Sequence, residues 1–204
     1  MRFANLGWLI VLLLLTGFTG IHKPAEPGDT ERWLINKSSS LTINGSTNIN
    51  KFACEIPGYG QTDTLILSRD RGNITLSGSV VLKIRNFDCH NAIMTNDLRK
   101  TLKEPVMPTL RISFLSLSKM PALSAHPEVI TGLVDIELAG VKKRFEITYQ
   151  VSADSPNEFH LLGARNVTFS DFNLIPPRKL GGMIKTNDKL SVTFHLAITP
   201  LAKS

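Results

Sequence analysis

Apolar and polar residues alternate with a period of two through most of the chain beyond residue 40. Leu41, Ile43 and Ile49 alternate with Thr42, Asn44 and Asn48. Leu76, Val80, Leu82 and Ile84 alternate with Ser77, Ser79, Lys83 and Arg85, and Leu110, Ile112 and Phe114 follow. Ile130, Val134, Ile136 and Leu138 stand against Asp135 and Glu137. Val141, Phe145, Ile147, Tyr149 and Val151 face away from Lys142, Arg144, Glu146, Thr148 and Gln150. Phe159, Leu161, Val167 and Phe169 form a further set. Leu190, Val192, Phe194, Leu196 and Ile198 close the series, interleaved with Ser191, Thr193 and His195. Such alternation marks strands with one buried face. Two strands meet at Ala139-Gly140, a tight hairpin signal. With a weaker segment at residues 64–68, the pattern predicts about eight strands.

One stretch breaks the rhythm. Met94, Leu98 and Leu102 recur every four positions, which predicts a short helix over residues 94–102, ending before Pro105. No internal repeat or low-complexity tract is present. Long strands with one apolar face must bury those faces together, and both a sandwich and a closed barrel do so. Alternation alone does not separate the two.

The first residues have another character. Arg2 is followed by an uncharged stretch that lasts until Lys23, with the run Leu12-Leu13-Leu14-Leu15 near its centre and Gly17, Thr19 and Gly20 near its end. Charge, apolar run and small residues in that order describe a secretory signal peptide over residues 1–21. The stretch is also long enough to span a bilayer uncleaved, which would leave the protein anchored. No cysteine lies near its end, which excludes lipid attachment there. Pro24, Pro27 and Gly28 make residues 22–37 a flexible tether, and residues 38–204 one domain. The expected location is periplasmic or secreted.

Composition adds two points. The net charge is +6, but the cations are scattered apart from Lys142-Lys143-Arg144. That suits a solvated surface and peripheral contact with anionic membranes, and argues against nucleic acid as a partner. The two cysteines are Cys54 and Cys89. Export favours a disulfide between them over two buried thiols.

From about residue 40 to 201 the chain resembles the YceI-like family of exported lipocalin-like barrels. The stretches that carry the resemblance begin with Gly45-Ser46-Thr47-Asn48-Ile49-Asn50-Lys51-Phe52-Ala53-Cys54. Phe87-Asp88-Cys89 with Met94-Thr95-Asn96-Asp97-Leu98 comes next, then Pro108-Thr109-Leu110-Arg111-Ile112-Ser113-Phe114. Gly132-Leu133 with Leu138-Ala139-Gly140-Val141 follows. The last are Asp171-Phe172-Asn173-Leu174-Ile175-Pro176-Pro177, Gly181-Gly182-Met183-Ile184-Lys185 and Asn187-Asp188. The resemblance implies an all-β, eight-stranded antiparallel up-and-down barrel with one short helix near its mouth. It also implies a lipid, isoprenoid-type or other amphiphilic ligand inside, held for transport, storage or sequestration, with no cofactor. The two cysteines match one branch of the family. Oligomeric state stays open, a dimer being one option.

An eight-stranded barrel is either filled by its own side chains or holds one small ligand. The expected ligand-facing set is Leu82, Ile112, Phe114, Val134, Ile136, Phe145, Ile147, Leu161, Phe169, Phe194 and Leu196, with Met94 and Leu98 at the mouth. The same residues are equally suited to an ordinary packed core, which makes a structural or protein-interaction barrel the alternative. Gly132 and Gly163 interrupt inward faces and mark either bends or room for a tail. Asp171 and Asp188 sit in turns, where backbone bonding is the common role of Asp and a headgroup contact the rarer one.

No catalytic constellation is visible: there is no G-x-S-x-G, H-E-x-x-H, C-x-x-C or P-loop. Gly58-Tyr59-Gly60 is only a fragment of a glycine-rich loop. His22, His90, His126, His160 and His195 are isolated in sequence, with no metal-ligand spacing. His90 reads as a loop residue beside a disulfide, and His195 as a solvated residue on the last strand. The expectation is a binding protein, not an enzyme.

Overall fold

The computed structural model describes residues 30–122, 126–155 and 157–201. The leader and residues 22–29 lie outside them. Eleven strands make one antiparallel sheet, and a short hairpin stands apart. In chain order the strands of the main sheet begin with β1 (Thr30–Ile35), β2 (Ser40–Ser46), β3 (Lys51–Ile56) and β4 (Asp63–Asp70). They continue with β5 (Asn73–Ser77), β6 (Ser79–Lys83), β7 (Thr109–Leu117) and β8 (Glu128–Leu138). The last are β9 (Val141–Ser155), β10 (Glu158–Thr168) and β13 (Lys189–Leu201); β11 (Arg178–Lys179) and β12 (Ile184–Lys185) form the separate hairpin.

The sheet closes on itself. From β1 the order runs β4, β5, β7, β8, β9, β10 and β13, with β6 continuing β5 alongside β7, and β13 pairs back to β1. This is an eight-stranded antiparallel barrel. Trp33 sits opposite Pro200, and Ile35 opposite Ile198, at the closing seam. Closure leaves no open edge along that seam. The Ala139–Gly140 turn has both residues at positive φ (52° and 83°), the type I′ geometry that joins twisted strands.

Residues 22–37 are therefore not all tether. Thr30–Ile35 form the closing strand, with Trp33 and Ile35 in the core at 2% and 0% exposure. Their alternation is too short to stand out beside the Pro- and Gly-rich residues before it.

β1 and β2 act as one kinked stave along β13. The late half of β13 pairs with β1 and the early half with β2, from Ser191 opposite Asn44 to His195 opposite Ser40. At the kink Ala197 is held from both sides: its carbonyl accepts from Asn36 N (2.8 Å), and its amide donates to the buried Ser39 Oγ (3.1 Å). β3 pairs only with β2 among the strands. Its free edge is patched by Asp88, which exchanges two backbone hydrogen bonds with Glu55 (2.7 and 2.8 Å). The Cys54–Cys89 disulfide lies beside that patch.

The helix α1 (Ala92–Thr101) follows directly. It starts two residues before the apolar spacing predicts, because Asn91 caps it by accepting from Met94 N at 3.0 Å. Leu98 and Leu102 are buried against the barrel, and Met94 is half-buried. Arg99 and Lys100 occupy the last turn, where cations suit the helix dipole. Arg99 also donates to the carbonyl of the buried Phe87 (2.9 Å), and Thr95 Oγ1 accepts from Cys89 N (3.0 Å). These bonds fix α1 across the barrel end beside the disulfide.

Candidate ligand-binding site

Three apolar spaces lie in file from the surface into the barrel. The outermost is a groove of about 260 Å³ between α1, the β2–β3 turn and the β11–β12 hairpin. Ile49, Phe52, Ile93, Met94 and Ile184 line it, with Asp97 and Lys179 among its polar residues. Lys179 Nζ reaches Asp97 at 2.7 Å and so ties the hairpin to the helix.

Beneath the helix lies an interior cavity of about 60 Å³. Its lining is apolar except for Arg165 and Thr168. Leu98 and Phe169 line both the groove and this cavity, and so form the wall between them. Deeper in is a third space of about 20 Å³, bordered by Val80, Leu82, Phe114 and Leu196. Leu41, Ile112 and Phe194 are common to the two inner spaces. The interior is mostly filled by side chains. Its larger void is well below the ~150 Å³ at which a dry apolar cavity admits benzene.

The expected ligand-facing residues divide between these spaces and solid core. Leu98, Ile112, Ile136, Phe169 and Phe194 border the larger cavity. Leu82, Phe114 and Leu196 border the smaller one, and Met94 the groove. Val134, Phe145, Ile147 and Leu161 are buried but line none of the three. Leu41, Ile43, Leu190 and Val192 line the larger cavity without having been singled out. They belong to strands whose alternation is plain, but nothing in a sequence says which end of an inward face meets the mouth. Phe172 and Leu174, also in the lining, come from a turn with no periodicity.

The two glycines neither open room nor simply mark bends. A Cβ on Gly163 would overlap the ring of Phe194, and one on Gly132 would press on Ser116 O, Leu117 and Tyr149. Their missing side chains are replaced by neighbours. Tyr149 is 1% exposed, stacks edge-on to Phe194 (centroids 5.8 Å apart), and its hydroxyl has no hydrogen-bond partner among the described residues. Burial pushes its pKa far up, so it stays a neutral donor.

The polar candidates serve the scaffold. Asp171 accepts from Thr168 N (2.8 Å) and pairs with Lys143. Burial acts to raise its pKa, but Lys143 and Thr168 outweigh that and hold it low. Asp188 accepts from Ser170 N (3.0 Å) and Ser170 Oγ (2.6 Å). Both are turn-forming. Tyr59 Oη donates to Asp63 and accepts from Val81 N (3.1 Å), so that loop pins β6. His90 is exposed and faces Glu55 at 3.2 Å. His195 is half-buried, with its Nε2 3.0 Å from His160 Nδ1. Among the described residues no group of three or more His, Cys, Asp or Glu could hold a metal ion.

Solved structures share this fold. BcnA of Burkholderia cenocepacia superposes over 80% of this chain and 98% of its own, at 12% identity and a TM-score of 0.59. A polyisoprenoid-binding domain from Saccharophagus degradans covers 82% of this chain and 97% of its own, at 10% identity and a TM-score of 0.57. The Campylobacter jejuni YceI protein covers 68% and 81%, at 14% identity and a TM-score of 0.51. The barrel has the YceI-like fold. No protein-family model and no curated protein sequence matches the chain. At these identities the YceI-like likeness shows the fold alone.

Proposed function

We propose that this chain is an exported, non-enzymatic barrel that binds the apolar chain of an isoprenoid-type or other amphiphilic lipid and carries, stores or sequesters it. The observation that carries the reading is the file of three mainly apolar spaces that share wall residues. Leu98 and Phe169 part the groove from the first cavity, and Phe194 shares the partition between the two cavities. Each CH₂ moved from water into such a space contributes about 0.8 kcal/mol, so an apolar tail needs few polar contacts. The polar end would remain in the groove, near Asp97 and Lys179. The Saccharophagus degradans neighbour is named for polyisoprenoid binding, which supports the reading. The disulfide supports export.

The small interior volume favours a second reading, a filled barrel whose surface binds another protein. Native mass spectrometry with lipid extraction, on protein from its own host, separates the two. Recovery of a bound isoprenoid or amphiphile supports the carrier. Empty protein that takes up neither farnesol nor geranylgeraniol, with Leu98→Ala no better, supports the filled barrel.

A further inference from the structure

Around the groove stand apolar side chains that no other described residue covers. Ile49 on the β2–β3 turn, Ile93 in the first turn of α1, and Leu180 and Met183 at the hairpin tip are 66–75% exposed. The tip is built to project them. Leu180, Gly181 and Gly182 all have positive φ (52°, 63° and 95°), and a bulky residue in that region is uncommon. A leucine held there and left exposed gains nothing from packing within the barrel.

The tips form one platform. The Asn48 side chain donates to Met183 O and accepts from Lys185 N, both at 2.9 Å. Asn48 N donates to Lys185 O (3.1 Å), and Thr47 bridges to Thr186. The hairpin is therefore held to the turn that carries Ile49. Arg178, Lys179 and Lys185 are exposed on the same hairpin, and Lys51 follows the Ile49 turn. The nearest acid in the groove, Asp97, is already paired with Lys179.

We infer that this platform inserts into the interface of an anionic membrane, with the β11–β12 hairpin as its principal anchor. Projecting apolar tips flanked by cations suit a lipid surface, where the tips enter the acyl boundary and the cations meet anionic headgroups. The contact does not depend on what the barrel holds. It sets the groove opening against the bilayer.

The test uses the full-length chain with its disulfide intact and an environment-sensitive NBD dye at one added cysteine. Met183→Cys reports the hairpin; Asn73→Cys, at the turn between β4 and β5, reports the far end of the barrel. With vesicles of phosphatidylcholine and phosphatidylglycerol, the dye at 183 shifts to the blue and brightens, while the dye at 73 does not. Phosphatidylcholine alone gives little change at either. Adding Arg178→Gln and Lys185→Gln weakens the vesicle-dependent signal at 183 by roughly tenfold or more. The dye reads the hairpin itself, so an apolar leader that tethers the chain does not mimic the result. No shift at 183, equal shifts at 183 and 73, or equal response to neutral vesicles overturns the inference. A shift without vesicles that grows with protein concentration overturns it in favour of a second copy of the chain.

Discussion

Phe194 and Gly163 face each other across β13 and β10, and the phenylalanine ring fills the volume a side chain at 163 would need. That ring also borders both inner cavities and stacks on Tyr149. Phe194 therefore partitions the barrel interior together with Leu41 and Ile112, and a glycine opposite makes its position tenable.

The pair is testable as a cycle. Phe194→Ala should cost about 3–5 kcal/mol in urea unfolding and merge the two cavities, with increased uptake of geranylgeraniol. Gly163→Ala alone should cost about 1–3 kcal/mol through overpacking. In the Phe194→Ala background the added methyl meets open space, and its cost should fall to near zero. Strict additivity of the two substitutions would show that the ring is not what excludes a side chain at 163.

Tyr149→Phe should raise stability by about 1–3 kcal/mol, because it removes a buried hydroxyl that has no partner among the described residues. Denaturant unfolding of the empty protein checks this. A loss of stability would mean that the hydroxyl bonds to an enclosed water or ligand.

Reduction of Cys54–Cys89, or replacement of both by alanine, should cost about 3–4 kcal/mol from loop entropy. The effect should also be local. The Glu55 and Asp88 amides bond each other's carbonyls beside the bridge, so their hydrogen exchange should accelerate more than that of the β8–β9 ladder.

Asp135 gives a pH dependence. It is buried on β8, and Arg144 Nε and Nη2 hydrogen-bond its two oxygens (2.8 and 3.2 Å), with Lys142 at 3.3 Å. Arg144 chiefly, opposed by partial desolvation and aided by Lys142, holds its pKa below the ordinary 3.8. A depressed folded-state pKa contributes stability that is present above the unfolded value and lost as pH falls through the folded one. Stability should therefore drop below about pH 4, and Asp135→Asn should flatten that part of the acid unfolding profile. Parallel profiles for the two proteins would rule out Asp135 as the source.

The barrel was largely legible because burial on one face repeats at every second residue, from Leu41 to Ile198. The helix was legible from Met94, Leu98 and Leu102, and the hairpin from Ala139-Gly140. β1 was not: two inward residues, Trp33 and Ile35, are too few to establish a period, and only pairing with β13 and β4 makes them a strand. The division of inward residues into cavity wall and solid core was also hidden. Ile112 and Ile147 read alike as inward positions, and only one of them borders a void. That difference depends on what crosses the barrel opposite each residue, which is a matter of register between distant strands. The exposed Leu180 and Met183 were legible as residues and not as a surface, because exposure is a property of the fold.

The joining of Trp33 to Pro200 has a consequence in time. β1 is the first described strand to be made, and β13 holds the second of its two edges. During synthesis that edge, with Trp33 on it, waits until every other described strand has emerged. The barrel therefore cannot shut stave by stave as it is made; it shuts once, when the final strand arrives. Pairing of such high sequence separation is slow to form. Until then the unpaired edge is open to joining the wrong neighbour.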